Sequence, residues 1–120
     1  MKYLCLIYDD ERTLAAMPKP EMDAFMGEYM TFTQQLAGAG KMLVGEELKP
    51  VHTATTIRIR NGAMSITDGP FAETKEQLGG VYLIDATDLN EAIQTAARIP
   101  SARTGSIEVR PVNTDVPDHG

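Results

Sequence analysis

Cysteine, histidine and basic side chains are scarce in this sequence, and each shortage narrows what the chain can be. One cysteine, Cys5, occurs among 120 residues. It cannot form an intramolecular disulfide, and no cysteine cluster exists to hold zinc, so a reducing, cytoplasmic setting is expected. The two histidines, His52 and His119, do not stand at helical or strand spacing, and scattered carboxylates specify no metal site, so no metal is expected. Eleven Lys and Arg face seventeen Asp and Glu, a net charge of -6. A phosphate backbone is repelled by that balance, which argues against nucleic acid as a partner. No apolar run approaches the ~20 residues of a membrane span. The opening segment from Met1 to Tyr8 runs straight into Asp9-Asp10 without a small-residue cleavage pattern, so no targeting segment is read there. What remains is a composition of 42% hydrophobic and 23% charged residues. It suits one globular domain with a single core, burying roughly two thirds of the surface the unfolded chain exposes.

Periodicity divides the chain into alternating elements. Residues 2 to 8 are apolar at both parities, with Tyr3, Cys5 and Ile7 on one side and Leu4, Leu6 and Tyr8 on the other, which predicts a strand covered on both faces. Pro18 and Pro20 frame a helix start, Glu21 lies in its first turn, and Met22, Phe25, Met26, Tyr29, Phe32 and Leu36 recur at helical spacing before Gly38 and Gly40 end it. Met42 to Leu48 reads as a strand that enters a loop containing Pro50 and His52. Thr55 to Arg60 and Ala63 to Thr67 flank Asn61-Gly62, the strongest short hairpin signal. A two-residue turn fixes the register, setting Ile59 opposite Met64 and Ile57 opposite Ile66, with Arg58 meeting Ser65 and Thr56 meeting Thr67 on the other side. Parity then puts Asp68 on the side of Met64 and Ile66. Residues 72 to 78 allow a short helical turn or an ordered loop, closed by Gly79-Gly80. Val81 to Asp85 is a second strand apolar at both parities. Asp88 with Glu91 opens a helix presenting Leu89, Ala92, Ile93 and Ala96 inward, Pro100 ends it, and Ile107 to Val112 forms the last strand. Residues 113 to 120 read as a frayed tail.

The order strand, helix, strand, hairpin, strand, helix, strand is an α+β plan: a ferredoxin-like split βαβ with an inserted β-hairpin, in one domain over residues 1 to 112. Two substantial helices cover only one face of such a sheet, whereas the first strand and the strand at 81 to 85 are apolar on both. A second copy of the same sheet is the simplest cover. This predicts a homodimer enclosing a partly apolar interior, a dimeric α/β barrel, with a small-molecule cavity between the helix-free faces.

Asp68-Gly69-Pro70-Phe71, Ala72-Glu73-Thr74-Lys75-Glu76 and Leu78-Gly79-Gly80-Val81-Tyr82-Leu83-Ile84 resemble the YCII-related (YciI-like) family in its DGPF-motif branch. Met1-Lys2-Tyr3, Gly45-Glu46-Glu47-Leu48 and Val109-Arg110-Pro111-Val112 extend the resemblance over roughly residues 1 to 112. It implies a ferredoxin-like fold in a dimeric α/β barrel, and no settled reaction. It also implies, as an alternative to a ligand-binding role, an interaction or regulatory module in an extracytoplasmic-function sigma-factor pathway. The wider family includes members with a paired histidine and aspartate at the cavity; here His52 and His119 lie away from the motif.

Among residues capable of chemistry, Asp68 is the candidate catalytic group, because a carboxylate beside an apolar cavity can carry a proton near neutral pH without a cofactor. Its structural alternative is a turn or cap residue bonding backbone amides before Gly69 and Pro70. Phe71 is read as filling core or lining the cavity. Glu73, with Lys75 and Glu76, offers a charged rim or simply a solvated turn. Tyr82 can donate a phenolic hydrogen bond or merely pack. Glu46 can form a two-carboxylate pair with Asp68 if the fold brings them together. His52 can reach a cavity mouth from its loop or sit at the surface. Cys5, inside a doubly apolar strand, reads as an inert small hydrophobe. No dinucleotide fingerprint or nucleophile elbow occurs, so no cofactor is expected, and the chain is read either as a binder or as an acid–base enzyme.

Overall fold

A computed structural model describes residues 1–114. The strands are β1 (Lys2–Asp9), β2 (Met42–Glu47), β3 (Thr55–Arg60), β4 (Ala63–Asp68), β5 (Gln77–Asp85) and β6 (Ser106–Pro111); the α-helices are α1 (Glu11–Ala15), α2 (Lys19–Gly38) and α3 (Leu89–Ala96). Four strands form one antiparallel sheet in the order β2-β5-β1-β6, and β3 and β4 pair separately. The mixed α+β arrangement is compatible with a ferredoxin-like fold. No α-helix among the described residues is long and apolar enough to cross a membrane. His119 and most of the expected tail lie outside the described residues.

The two parities of β1 have different fates. Tyr3, Cys5, Ile7 and Asp9 are buried toward the helices, whereas Leu4, Leu6 and Tyr8 are only partly covered on the other face. Their neighbours follow suit. Cys5 opposes Tyr82 and Tyr3 opposes Ile84 on the helix side, while Leu4 opposes Leu83 and Leu6 opposes Val81 on the helix-free side. Phe32 and Leu36 of α2, Ala92 and Ala96 of α3, and Ile99 complete the core. Cys5 is fully buried, and burial pushes its thiol up to about 11, so little of it is thiolate near neutrality.

The hairpin follows its turn chemistry. Asn61 and Gly62 both have positive φ, 52° and 76°, and the register sets Ile59 against Met64 and Ile57 against Ile66. Three features depart from the sequence reading. First, α1 is an unanticipated helix, opened by Asp10, whose carboxylate accepts from the Arg12 amide at 2.9 Å. Second, residues 72 to 76 form the loop alternative, and Gly79 and Gly80 lie inside β5 instead of closing that loop. A Cβ on Gly80 would stand 2.9 Å from the Glu46 carbonyl oxygen, so this strand crossing needs the missing side chain. Third, Leu89 and Ile93 remain about half exposed. The buried face of α3 is instead Ala92, Thr95 and Ala96, whose small side chains suit a close approach, leaving the larger pair on the flank.

Candidate functional site

A cleft of about 840 Å³ opens on the helix-covered side of the sheet. That volume is within the usual range for small-molecule sites. Its floor is sheet: Ile7 and Asp9 of β1, Gly45 of β2, and Gly79, Gly80 and Tyr82 of β5. Glycines keep this floor low. Met22, Phe25, Met26, Tyr29, Met30 and Thr33 of α2 form one wall. Glu46, Glu47, Leu48 and Pro50 form another, and Glu11 and Leu14 of α1 close an end. Met22, Met26 and Met30 recur every fourth residue and give that wall an adaptable apolar stripe.

Asp9 is the buried carboxylate among the described residues that line the cleft, only 6% exposed. Strand alternation puts it at the end of the inward row Tyr3, Cys5, Ile7. Thr104 Oγ1 donates to its Oδ1 at 2.7 Å. Gly105 makes the approach possible, because a Cβ there would lie 2.0 Å from the Tyr8 carbonyl oxygen and 2.6 Å from Asp9 Oδ1. Asp9 Oδ2 has no hydrogen-bond partner among the described residues. No side-chain polar atom there is both sealed and unpaired, so Oδ2 meets solvent, and the cleft that Asp9 lines is where it can do so.

Two phenols flank this carboxylate's cavity. Tyr29 donates to Ser101 Oγ at 2.5 Å, and burial, opposed by that bond and reinforced by the charge of Asp9, pushes its phenol up to about 12. Tyr82 shares a 2.6 Å hydrogen bond with Thr33 Oγ1, and burial raises its phenol as well, with Glu47 adding to the rise. Both phenols therefore keep their protons at neutral pH. Packing fixes their rings: Tyr29 meets Phe25 edge-on at 5.4 Å between centroids, and Tyr82 meets Phe32 at 5.3 Å. The site offers an open carboxylate oxygen, two neutral phenols and apolar walls.

The residues proposed from sequence are divided by the fold. Tyr82 and Glu46 border the cleft; Asp68, Phe71, Glu73 and His52 do not. Cross-strand register puts Glu46 beside Val81 on the helix-free side and Glu47 beside Gly80 on the cleft side, so Glu47 is the better-aimed carboxylate of the two. Asp68 ends β4 in an exposed position, and its carboxylate accepts no hydrogen bond among the described residues. The turn after it is held otherwise: the Gly69 amide donates to the Ala54 carbonyl at 2.7 Å, Thr56 Oγ1 to the Gly69 carbonyl, and Arg58 to the Phe71 carbonyl. Phe71 is 76% exposed in the single chain. Glu73 is exposed in the following loop, and His52 is exposed in a 3-10 turn at Val51–Thr53. Neighbouring Glu76 accepts from Ser106. Asp9, Tyr29 and Glu47 are the residues that sequence reasoning passed over; extending the row Tyr3, Cys5, Ile7 by one step is the signal that finds Asp9.

Residues 1–114 match the model of the YCII-related domain. The chain belongs to the YCII-related family. It is also 41% identical over 114 residues to an uncharacterised protein of Rhizobium meliloti (strain 1021), with 93% of this chain and 92% of that protein aligned. Neither comparison brings a reaction with it. The chemistry of this YCII-related chain has to be argued from its own cleft.

Proposed function

We propose that this YCII-related protein, of the DGPF-motif branch, is a cytoplasmic homodimer that binds a small molecule in the cleft between α2 and the β2–β5 edge. The observation that carries the reading is a cavity of ligand size with apolar walls and one buried carboxylate, Asp9, whose Oδ2 is unclaimed. Asp9 can take a proton or a hydrogen bond from the bound molecule, and the neutral phenols can orient it, which suffices for cofactor-independent acid–base chemistry. This proposed ligand site lies under the helix and is distinct from the chamber expected between the helix-free faces of two copies.

The second copy is argued from surface left wet. Ile57, Ile59, Met64 and Ile66 form the apolar side of the hairpin and are each about 60% exposed. Val44, Leu4, Leu6, Val81 and Leu83 leave the helix-free sheet face apolar and only partly covered. The chain is a slab of 47 × 44 × 21 Å with a radius of gyration of 16.5 Å. A compact chain of this length would have roughly 14 Å. Sheet stacking by a second copy covers both surfaces, and encloses Asp68 with the apolar side of its hairpin. In that setting Asp68 is the proposed proton carrier of the interface, with Phe71 and Glu73 at its border and His52 at its mouth.

A second reading rests on the same hairpin, whose apolar side is exposed and whose opposite side carries Arg58 and Arg60. It docks a protein, such as the sigma factor that the motif resemblance implies.

Differential scanning fluorimetry of the full chain against aromatic amines, alcohols and carboxylic acids tests the leading reading. At least one class should raise Tm, and Asp9→Asn should alter the response. A Tm indifferent to all three classes, with a salt-sensitive complex between the chain and a cognate sigma factor, would replace the first reading by the second.

A further inference from the structure

We infer that the cleft selects an organic cation, a protonated amine carried on an apolar body. This rests on the reading of the cleft as a ligand site and adds the charge of what enters it. Among the described residues that line it, five are carboxylates, Asp9, Glu11, Asp23, Glu46 and Glu47, and none is Lys, Arg or His. Two of the five are already engaged. Glu11 accepts from the Val51 amide at 3.1 Å, and Asp23 is ion-paired with Lys19 at 2.8 Å. Asp9 Oδ2, on a residue that lines the cavity, and Glu47, on its wall by strand alternation, are left to act on a ligand.

The position of Asp9 makes charge decisive. A carboxylate 6% exposed interacts with a neighbouring charge through a medium less polarisable than water, so an anion entering the cleft is opposed and a cation is drawn in. An ammonium supplies N–H donors for the unclaimed oxygen, which an alkyl group or a carboxylate cannot. Removing the cation from water is costly unless such a partner is waiting. The rest of the cavity suits the remainder of the molecule: Phe25 and Tyr29 offer ring surfaces for the cation or an aromatic body, and Met22 and Met26 offer polarisable apolar contact.

Isothermal titration of the full chain with three matched probes, phenethylammonium, 2-phenylethanol and phenylacetate, decides the matter. The ammonium should bind at least about tenfold tighter than the alcohol, with phenylacetate weakest, and raised salt should narrow the gap. Asp9→Asn keeps an acceptor for Thr104 and turns an N–H toward the cleft, so it should remove the preference for the ammonium while sparing the alcohol. Glu47→Gln, at an exposed strand edge, provides a variant that does not depend on the buried position and should weaken the ammonium severalfold. Glu21→Gln, on an exposed face of α2, should change nothing. If the alcohol or phenylacetate binds as well as the ammonium, the charge inference is overturned and the ligand site stands. If none binds, both are overturned.

Discussion

The cleft and the hairpin both leave apolar side chains uncovered, and they do so in opposite shapes. The cleft is concave: Met22, Met26 and Ile7 surround polar groups whose orientations are fixed by Thr104, Ser101 and Thr33. The hairpin is convex: Ile57, Ile59, Met64 and Ile66 stand on one side of a two-stranded ribbon that pairs with no other strand among the described residues. A concave surface with a few fixed polar groups can surround most of a small molecule. A convex ribbon cannot, and a two-stranded hairpin is marginal in water unless something packs on it. On the proposed reading the difference separates a ligand site from a protein-binding surface within one short chain, so each should be breakable without the other.

The largest effect is expected at the hairpin. Replacing Ile57 and Ile66 together by Asp removes two side chains worth about 1.5–3 kcal/mol each when buried. The dissociation constant of the proposed dimer in sedimentation should rise at least about a hundredfold, with the affinity of the cleft for phenethylammonium preserved. Loss of that affinity would show that the two surfaces are one site. Next comes the core beneath the cleft. Leu36 is 1% exposed in the cluster that holds α2 over the sheet. Leu36→Ala should cost about 2–5 kcal/mol in denaturant unfolding, as expected for a buried cavity. A cost near zero would mean that α2 is held some other way.

A smaller effect tests the cleft alone. Met26 is 44% exposed on the wall, so Met26→Lys should be tolerated by the fold and should place a resident ammonium among the carboxylates. Affinity for the ammonium probe should fall by about tenfold, equivalent to ~1.4 kcal/mol, while the sedimentation of the chain stays unchanged. The smallest effect concerns alkaline pH. The Tyr29 phenol is raised to about 12 in the fold, so the folded state holds its proton where the unfolded state, near 10, has released it. The stability this contributes is complete below the unfolded value and is lost as pH rises through the folded one. Cys5, raised to about 11, acts in the same direction. Tyr29→Phe should flatten the decline in Tm above pH 10; an unchanged slope would remove Tyr29 from the account.

What could be read from sequence was local. Asn61-Gly62 specified the hairpin register because a two-residue turn with positive φ at both positions permits little else. The two-sided apolarity of β1 correctly marked two surfaces, one now occupied by Phe32 and Leu36. Which carboxylate mattered was harder to see. Asp9 acquires its setting from Thr104 and Gly105, at the far end of the chain, and no local pattern shows that close approach. Glu46 and Glu47 are adjacent in sequence, and only the pairing of β2 with β5 decides which one faces the cleft. Asp68 stood out through its motif, and its parity with Met64 and Ile66 was read correctly, but within one chain that side of the hairpin faces water. Leu89 and Ile93 were placed inward by periodicity, which locates a stripe but not its centre; Ala92 and Ala96 took the sheet.

The most direct test of the division between cleft and ribbon is an amide-resolved NMR titration of the full chain with phenethylammonium. Saturable shifts at Ile7, Asp9, Gly45 and Gly80, with Ile57 and Ile66 unmoved, are the predicted result. Shifts that instead follow the hairpin, leaving the amides around Asp9 silent, would contradict it.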